Sequence, residues 1–422
     1  MDPLYFKPGM LQERKPAIHM RLSTKEILEK RSNRTSINIL VTGATGFIGS
    51  HICVKLLESG YNVFLIIRKN REQTAFERFK AITDWFELDP ILFSKLKVFE
   101  GELEEPSLNL NSADHDFLSK NVDEIVHCAA STCFTEQKRE ETEKVNIFGL
   151  GNILEFAKQS RCYYFHHMST AFVAGKTEGV FKEAIVDVDN FNNIYEETKY
   201  LGERAVSDFC RRNGIGLNIY RPSIVYGNSE TGKNFRFNAL YFPVKTILFL
   251  KNLYKKDIEK NKGANAQKMG VTKSSEGMIF LPIRIVQSKN GHMNMIPINY
   301  CVDAFCAIME DSVNGGIFHL VTRDPEKLET IIEYIKRMFN IEGIRAVDVD
   351  ELNKSPKNAL EILFDTYIDL YKPYIKDPHI FVDDNAKEIL SRHHIQCPPL
   401  TYEIFEKCMN YAIDVNWGKK LF

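Results

Sequence analysis

The stretch Ile37-Asn38-Ile39-Leu40-Val41 runs directly into Thr42-Gly43-Ala44-Thr45-Gly46-Phe47-Ile48-Gly49, which is followed by a helical pattern from Ser50 to Leu57. An apolar run, a glycine-rich turn and a helix in this order form a unit that holds a dinucleotide pyrophosphate. The glycines allow a tight turn and close backbone approach, and the helix offers unpaired N–H groups to the phosphates. The stretch therefore predicts a dinucleotide-binding α/β fold.

Strand-like and helical patterns alternate from here to about Tyr226, which predicts a Rossmann-type, doubly wound parallel sheet. The predicted strands are Ile37–Val41, Val63–Ile67, Leu96–Phe99, Glu124–Cys128, Tyr163–Met168 and Leu217–Tyr220. Helical patterns with apolar residues three and four apart lie between them, as in Asn152 to Lys158 and Lys199 to Arg212.

The expected organisation is an N-terminal arm at 1–35, a main α/β domain at 36–349 and a helical extension of a smaller substrate lobe at 350–422. The arm is expected to be solvated, with one short helix near Ser23 to Arg31. A docking arm for a partner protein is the alternative interpretation. Within the main domain, 251–276 contains 7 lysines against 3 acidic residues, which is typical of a mobile surface loop. A lid or an anion-attracting patch near the substrate entrance is the alternative interpretation.

The composition excludes several classes of protein. A net charge of −1 over 422 residues gives no global reason to expect a nucleic-acid partner. The 9 cysteines contain no CxxC pair, so reduced thiols in a cytoplasmic protein without a metal site are expected. No stretch reaches the roughly 18 uncharged apolar residues of a membrane span. The oligomeric state stays open.

The end of the second predicted strand indicates which cofactor binds. An acidic residue at this point would hold the ribose 2′-hydroxyl of NAD, but the chain has Arg68-Lys69 instead. A guanidinium here suits a 2′-phosphate, which favours NADPH. The alternative is a pair of solvated residues at a strand end.

The catalytic candidates lie downstream, in Tyr195-x-x-x-Lys199 and at Thr170. Residues four apart share a helix face, and a lysine ammonium beside a phenol is expected to lower the tyrosine pKa. Such a tyrosine can pass a proton to a carbonyl oxygen as a hydride arrives. Thr170 follows a predicted strand, where its hydroxyl can stabilise developing oxyanion charge.

These features resemble the extended short-chain dehydrogenase/reductases, and the resemblance covers about Ile37 to Thr322. It implies that Thr170, Tyr195 and Lys199 form the catalytic triad, with Lys199 also holding the nicotinamide ribose. Further segments that match this family are Cys128-Ala129-Ala130 at a strand end, Asn146, and Pro222-Ser223-Ile224 after a strand. The resemblance implies that they line the cofactor.

Within this superfamily, the chain resembles the thioester reductases and the male-sterility type of fatty acyl-CoA reductases. The matching segments are Gly43-Ala-Thr-Gly-Phe-Ile-Gly49, Arg68, Glu77-Arg78, Gly101-Glu102-Leu103 to Leu110, and Ser169 to Gly175. In two places the chain departs from the pattern, since Glu102 replaces an aspartate and Asn109 a glycine. The resemblance places Arg78 with Arg68 at the 2′-phosphate and Gly101, Glu102 and Leu103 along the cofactor. A surface ion pair of Arg78 with Glu77 or Glu72 is the alternative.

The resemblance implies reduction of an acyl thioester, carried on CoA or on a carrier-protein phosphopantetheine, to an aldehyde and a thiol. The sequence leaves open whether the aldehyde continues to an alcohol. The alternatives are an NAD-dependent sugar-nucleotide epimerase or dehydratase, a ketone or aldehyde reductase, and a non-catalytic dinucleotide sensor. A metal hydrolase built on His166-His167 is disfavoured, because neighbouring strand residues point to opposite faces and predict one packed and one solvated histidine.

Overall fold

The computed structural model describes residues 22–421, as strands and helices around one large parallel sheet. The strands are β1 (Asn38–Thr42), β2 (Asn62–Ile67), β3 (Leu96–Glu100), β4 (Glu124–His127), β5 (Tyr164–Met168), β6 (Val180–Phe181), β7 (Gly216–Pro222), β8 (Ile224–Tyr226), β9 (Thr272–Lys273), β10 (Ile279–Val286), β11 (Met295–Pro297), β12 (Gly316–Leu320), β13 (Ile341–Val347) and β14 (Ile380–Phe381).

The helices are α1 (Thr24–Ser32), α2 (Phe47–Glu58), α3 (Ala75–Phe86), α4 (Ser112–Asn121), α5 (Arg139–Glu143), α6 (Leu150–Gln159), α7 (Ile194–Asn213), α8 (Tyr241–Lys260), α9 (Ala264–Lys268), α10 (Ile298–Asp311), α11 (Leu328–Phe339), α12 (Val349–Asn353), α13 (Ala359–Ile368), α14 (Lys372–Ile375), α15 (Asp384–Arg392) and α16 (Tyr402–Asp414). Short 3₁₀ segments occur at Arg34–Ser36, Pro90–Lys95, Pro106–Asn109, Glu136–Lys138, Ala171–Ala174 and Asp369–Tyr371, and a π-helical segment at Lys144–Gly149.

The main sheet has seven strands in the order β3-β2-β1-β4-β5-β7-β12, and all its neighbouring strands are parallel. The Rossmann-type prediction is therefore confirmed, and the six predicted strands differ from the observed ones by at most two residues at an end. The sequence patterns missed β12. The strand order reverses between β1 and β4, which opens a crevice at their carboxyl ends where such sheets bind ligands.

Helices cover both faces of the sheet, and each face has its own apolar core. On one face, residues of α2, α10 and α15 pack against β1 and β2. On the other face, residues of α4, α6 and α7 pack against β4, β5 and β7. Coverage of both faces explains why the central strands read as continuous apolar runs rather than as alternating patterns.

A smaller lobe stands beside the main sheet. Here β10 pairs with β13 and β9, and β8 pairs with β11. One apolar core joins α8 and β10 to α11, α13 and α16, so α13 and α16 from the chain after residue 350 pack within this lobe. Another part of that chain, β14, pairs with β6 from the main domain. The described residues contain no helix that is long and apolar enough to cross a bilayer.

The lysine-rich stretch 251–276 is a correction to the sequence analysis, which interpreted it as a surface loop. Its first ten residues complete α8, and α9 and β9 follow. Lys251 donates to the Phe339 carbonyl at 2.5 Å, and Lys273 pairs with Glu259 at 2.6 Å. The apolar residues Leu250 and Tyr254 anchor this part of α8 in the lobe core, a constraint that lysine counting misses.

Helix α1 corrects the prediction of a solvated arm, as far as the arm lies within the described residues. The short helix is present, but the Arg31 side chain is buried and forms a two-bond ion pair with fully buried Glu124 (2.9 and 3.2 Å). Tyr163 and His166 also donate to this carboxylate, each at 2.8 Å. Burial raises the pKa of Glu124, but Arg31 and His166 outweigh that effect and lower it to about 2.

We predict that Arg31→Met destabilises the protein by about 3 to 5 kcal/mol, because it leaves the Glu124 carboxylate buried without its counter-charge. Urea unfolding at pH 7 followed by circular dichroism measures this loss. Arg34→Met is the matched control, because Arg34 pairs with Glu310 at the partly exposed surface. Equal effects of the two substitutions would contradict the role given to Arg31.

Candidate active site

The glycine turn between β1 and α2 packs closely against the end of β4 and against itself. Gly43 has a φ of +74°, and a Cβ added there would lie 2.5 Å from the Ala129 nitrogen. A Cβ on Gly49 would lie 2.4 Å from the Gly43 carbonyl oxygen. Helix α2 begins at Phe47, and none of the described side chains caps its N-terminus. Its first N–H groups, including that of Ile48, are therefore free to bind a phosphate next to Thr45 and Gly46.

The end of β4 forms the opposite wall of the crevice. His127 is held by the Thr42 hydroxyl at 2.9 Å, and Cys128, Ala129 and Ala130 follow it beside the glycine turn. Burial raises the pKa of the Cys128 thiol to about 12, so this cysteine is not a nucleophile at neutral pH. The small side chains here leave the turn room to pack against the strand end.

Asn146 joins this wall to the catalytic helix. It lies in the π-helical segment, a backbone irregularity found frequently at functional sites. Its side chain accepts from the Ser131 nitrogen at 2.7 Å and donates to the Thr198 hydroxyl at 2.9 Å. Asn146 thus ties the loop after β4 to α7.

The segment Gly101-Glu102-Leu103 leaves β3 on the same edge of the sheet. A Cβ on Gly101 would lie 2.7 Å from the Leu108 carbonyl oxygen, and Glu102 donates its N–H to that oxygen at 2.8 Å. The loop is closed by three consecutive residues with positive φ, ending at Asn109 (+50°). Asparagine tolerates this left-handed conformation better than most side chains, which explains how it replaces the glycine of the pattern.

Arg68 and Arg78 lie together beyond the end of β2. Arg78 donates to the Arg68 carbonyl, and the side chain of Arg68 is mostly exposed, 3.6 Å from Glu104. Burial and the neighbouring Arg68 lower the pKa of Arg78. Glu77 closes a capping box with Thr74 at the start of α3. The Arg78 guanidinium thus lies against the backbone at the end of β2, and the Arg68 guanidinium lies near the loop after β3.

The three predicted catalytic residues converge at the carboxyl ends of β5 and β7. Thr170 follows β5, and its buried hydroxyl contacts the Pro222 carbonyl oxygen at 3.4 Å. Tyr195 and Lys199 lie one turn apart near the start of α7. A hydrogen bond joins Thr170 to Tyr195. Ser223 and Ile224 follow β7 beside them, with the Ser223 hydroxyl buried and without a partner among the described residues.

The electrostatics of the triad differ from the sequence expectation. Burial raises the pKa of Tyr195 to about 12, although the hydrogen bond with Thr170 opposes the rise. The lowering expected from Lys199 is not found. The Lys199 ammonium donates to the Met168 carbonyl at 2.5 Å, and burial lowers its pKa to about 8 despite Glu203. At neutral pH the phenol is therefore protonated and can donate.

The paired histidines of β5 also correct the sequence analysis, which expected one of them to be solvated. Both are buried, because helices cover both faces of the sheet. His166 belongs to the network of Glu124, whereas His167 stacks on His127 beside the triad. Burial and the charge of Lys199 lower the pKa of His167 well below its usual value, so it stays neutral. The described residues contain no group of three potential metal ligands.

An aromatic wall that the sequence patterns did not assign to the site lies over Tyr195. The Phe134 ring lies 5.8 Å from that of Tyr195, and it also contacts Tyr371 and Tyr374 from the C-terminal part of the chain. The tyrosines occur at near-helical spacing, a pattern that is more typical of a core. Tyr371 and Tyr374 reach this region only because the C-terminal part of the chain packs against the start of α7.

A separate cavity of about 480 Å³ lies beyond the end of β12, and none of the three triad residues lines it. Its walls include His292, Asn294, Thr322, Arg323, His379, Phe381 and Asp383. The backbone carbonyl of Asn294 accepts the N–H of Ile224, so this cavity lies next to the segment Pro222–Ile224 that is predicted to line the cofactor.

We predict that Lys199→Met raises the melting temperature by roughly 3 °C at pH 7, because it removes a buried charge. Folding lowers the lysine pKa from 10.5 to about 8, so between these values the unfolded chain binds the proton and the folded chain does not. Wild-type stability therefore rises over this pH window, and its gap to the variant closes toward pH 10.5. Thermal unfolding at a series of pH values measures the gap.

Lys120→Met is the control for this measurement, because Lys120 is exposed on α4. A gap between Lys199→Met and wild type that does not change with pH would contradict the buried, titrating ammonium.

Comparison with known proteins gives relatives of two kinds. A linear gramicidin synthase from Brevibacillus parabrevis is 24% identical over 390 residues, which cover 88% of this chain and 7% of that protein. Fatty acyl-CoA reductase 1 of Rattus norvegicus is 32% identical over 145 residues, which cover 32% of this chain and 28% of that protein. The matches thus span less than a third of either relative's length.

Solved structures share the fold. The terminal R domain from the myxalamid PKS-NRPS biosynthetic pathway has a TM-score of 0.66 at 19% identity, covering 91% of this chain and 92% of its own. UDP-glucuronic acid 4-epimerase from Bacillus cereus, in complex with NAD, has a TM-score of 0.60 at 19% identity, covering 91% and 99%. The model of the NAD-binding family described as male sterility protein matches residues 41–305, more than half of the chain. The chain therefore belongs to this family of oxidoreductases.

Proposed function

We propose that the chain reduces an acyl thioester to an aldehyde and a free thiol, with NADPH as the hydride donor. The observation that carries the proposal is the convergence of Thr170, Tyr195 and Lys199 at the sheet edge that also holds the glycine turn. The family match and the reductase names of the relatives point in the same direction.

The residues of the crevice fit a dinucleotide. The turn from Gly43 to Gly49 packs more closely against the end of β4 and against itself than a Cβ would allow, and the open N-terminus of α2 suits the pyrophosphate. Arg68 and Arg78 would hold the adenosine 2′-phosphate, which supports NADPH over NADH. Lys199, together with the walls at Cys128–Ala130 and Pro222–Ile224, would face the nicotinamide end.

The cofactor supplies a hydride to the thioester carbonyl carbon when it is bound. Thr170 and the protonated Tyr195 donate to the carbonyl oxygen, stabilise its developing charge and deliver the proton. The resulting hemithioacetal breaks its C–S bond, and the products are an aldehyde and a protonated thiol. The burial that keeps Tyr195 protonated suits reduction, in which the enzyme must donate a proton.

The thioester carrier is proposed from the charge of the smaller lobe. Exposed lysines at the end of α8, including Lys256 and Lys260, belong to the lysine-rich stretch. A carrier protein with an acidic surface, or the phosphates of CoA, would be attracted to this charge. The structural likeness to a thiolation-reductase di-domain from an archaeal non-ribosomal peptide synthetase supports testing a carrier-bound substrate first.

We predict that Tyr195→Phe lowers thioester reduction by at least about 100-fold, because the acid that protonates the carbonyl oxygen is lost. NADPH oxidation, together with release of thiol and aldehyde, is measured with acyl-CoAs, an acylated carrier protein and free aldehydes. Tyr200→Phe is the matched control on the same helix, because its hydroxyl bonds Arg204 and the Val188 nitrogen outside the triad.

Turnover of free aldehydes or ketones alone would replace the proposal with a simple carbonyl reductase. Absence of net NADPH oxidation, with nicotinamide retained through purification, would favour an epimerase.

We predict that the double substitution Arg68→Ala/Arg78→Ala weakens NADPH binding roughly 30-fold and leaves NADH binding nearly unchanged, because two charged contacts to the 2′-phosphate are lost. Fluorescence titration of each nucleotide measures the change. Arg71→Ala removes an exposed positive charge from the same loop and serves as the control. Equal loss for both nucleotides would show that the two arginines act on the fold and not on the phosphate.

A further inference from the structure

A buried carboxylate lies directly next to the catalytic tyrosine. Glu196 is the residue after Tyr195 in the first turn of α7, and its side chain is fully buried. Three donors reach this carboxylate: the Asn192 nitrogen at 2.8 Å, the Asn192 side-chain amide at 3.1 Å and the Tyr374 hydroxyl at 2.7 Å. Burying an ionised carboxylate is costly unless it accepts hydrogen bonds, so these donors favour the charged form of Glu196.

The Tyr374 hydroxyl has a defined direction. The Asn193 side-chain amide donates to the Tyr374 oxygen at 2.7 Å, so the phenolic proton is left to point at Glu196. Asn193 is also the N-cap of α7, because its side-chain oxygen accepts the Glu196 N–H at 3.0 Å. A residue 178 positions away in sequence from Glu196 therefore bonds both the cap and the first turn of the catalytic helix.

Packing holds the Tyr374 ring in place. Its centroid lies 4.8 Å from that of Phe172 and 5.5 Å from that of Phe134. Phe172 follows Thr170 by two residues and donates its N–H to the Thr170 hydroxyl. The same aromatic ring thus touches the segments that carry both Thr170 and Tyr195.

We infer that Tyr374 is a positioning residue for Tyr195: through Glu196 and Asn193 it fixes the first turn of α7 and maintains a negative charge beside the catalytic phenol. The role of Tyr195 as the acid rests on the proposed function, whereas the link from Tyr374 to Tyr195 rests on the contacts alone. The C-terminal part of the chain would accordingly complete the catalytic site as well as cover it.

The charges around this link are consistent with the inference. Burial raises the pKa of Glu196, while the bonds from Tyr374 and Asn192 and the charge of His379 oppose the rise. The Glu196 charge in turn adds to the burial that raises the pKa of Tyr195, against the hydrogen bond from Thr170. Lys199 lies one turn further along α7, with its ammonium on the Met168 carbonyl. Removing the Tyr374 hydroxyl should therefore raise the pKa of Glu196, whereas removing the Glu196 charge itself should lower the pKa of Tyr195.

The test is Tyr374→Phe in the full chain, which removes one oxygen and keeps the packed ring. Tyr195 is observed by NMR with ¹³Cζ-labelled tyrosine, and its resonance is identified by its absence in Tyr195→Phe. We expect the Tyr195 resonance at neutral pH to shift, because the first turn of α7 loses a bond that fixes it. We expect no fall of the Tyr195 pKa, because Glu196 stays ionised at the high pH where this phenol titrates. We also expect kcat for thioester reduction to fall roughly tenfold with KM nearly unchanged, because the acid is held less accurately.

Two further variants complete the design. Glu196→Gln keeps an acceptor for Tyr374 but removes the charge, so it should lower the Tyr195 pKa by about one unit. This variant carries the test if Tyr374→Phe does not fold. Tyr367→Phe, at an exposed position in the same C-terminal part of the chain, should behave as wild type.

An unchanged Tyr195 resonance in Tyr374→Phe, or an unchanged Tyr195 pKa in Glu196→Gln, would overturn the inference and leave Tyr374 a packing residue. The NMR titration needs no substrate, so an enzyme that turns over no thioester can still support or refute the link. Failure of the proposed function is thereby distinguishable from failure of this inference.

Discussion

The close approach of the Gly43–Gly49 turn to the end of β4 is the constraint on which the rest of the active site depends. An added Cβ at Gly43 would lie 2.5 Å from Ala129, a distance at which backbone atoms must move. Since β4 pairs with both β1 and β5, a shift there would also displace the strand that leads to Thr170. The glycines thus set the distance between the phosphate end of the crevice and its catalytic end.

Burial controls the chemistry of the catalytic end. Lys199, His127 and His167 all lie out of contact with water at the edge of the sheet, and burial lowers the pKa of each. The same burial raises the pKa of Tyr195, against the intuition that a nearby lysine must create a phenolate. A protonated phenol beside a partly neutral lysine is the state suited to donating a proton. The proposed reduction would draw its proton from this phenol.

Different parts of the chain stabilise the amino and the carboxyl ends of the parallel strands. At the amino ends of the strands, Arg31 of α1 neutralises Glu124, the first residue of the central strand β4. At the carboxyl edge, Tyr374 reaches Glu196 at the start of α7. In both places a buried acid is matched by a donor distant in sequence. Each of these buried charges thus depends in part on a segment that is far from it along the chain.

Sequence patterns predicted six of the seven strands of the main sheet and indicated which residues lie at its crevice. The glycine turn and the apolar strands act over a few consecutive residues, where steric limits on the backbone and burial on both faces leave a readable pattern. The strand β12 was missed, because its five residues lie far from this alternation and include an ordinarily polar histidine that is buried here. Spacing likewise placed Tyr195 and Lys199 on one helix face, which the structure shows.

The tertiary structure decided what depends on distant contacts. The number of lysines in 251–276 predicted a loop where the end of α8, α9 and β9 lie. The residues that anchor this part of α8 lie in a lobe core built from separate stretches of chain. The alternation of strand side chains predicted one packed and one solvated histidine on β5, but both are buried because helices cover both faces of the sheet. The pKa values of Tyr195 and Lys199, and the contact of Tyr374 with Glu196, follow from desolvation and from partners far along the chain. Local sequence determines backbone geometry, whereas only the packed fold sets the dielectric environment and the pairing of buried charges.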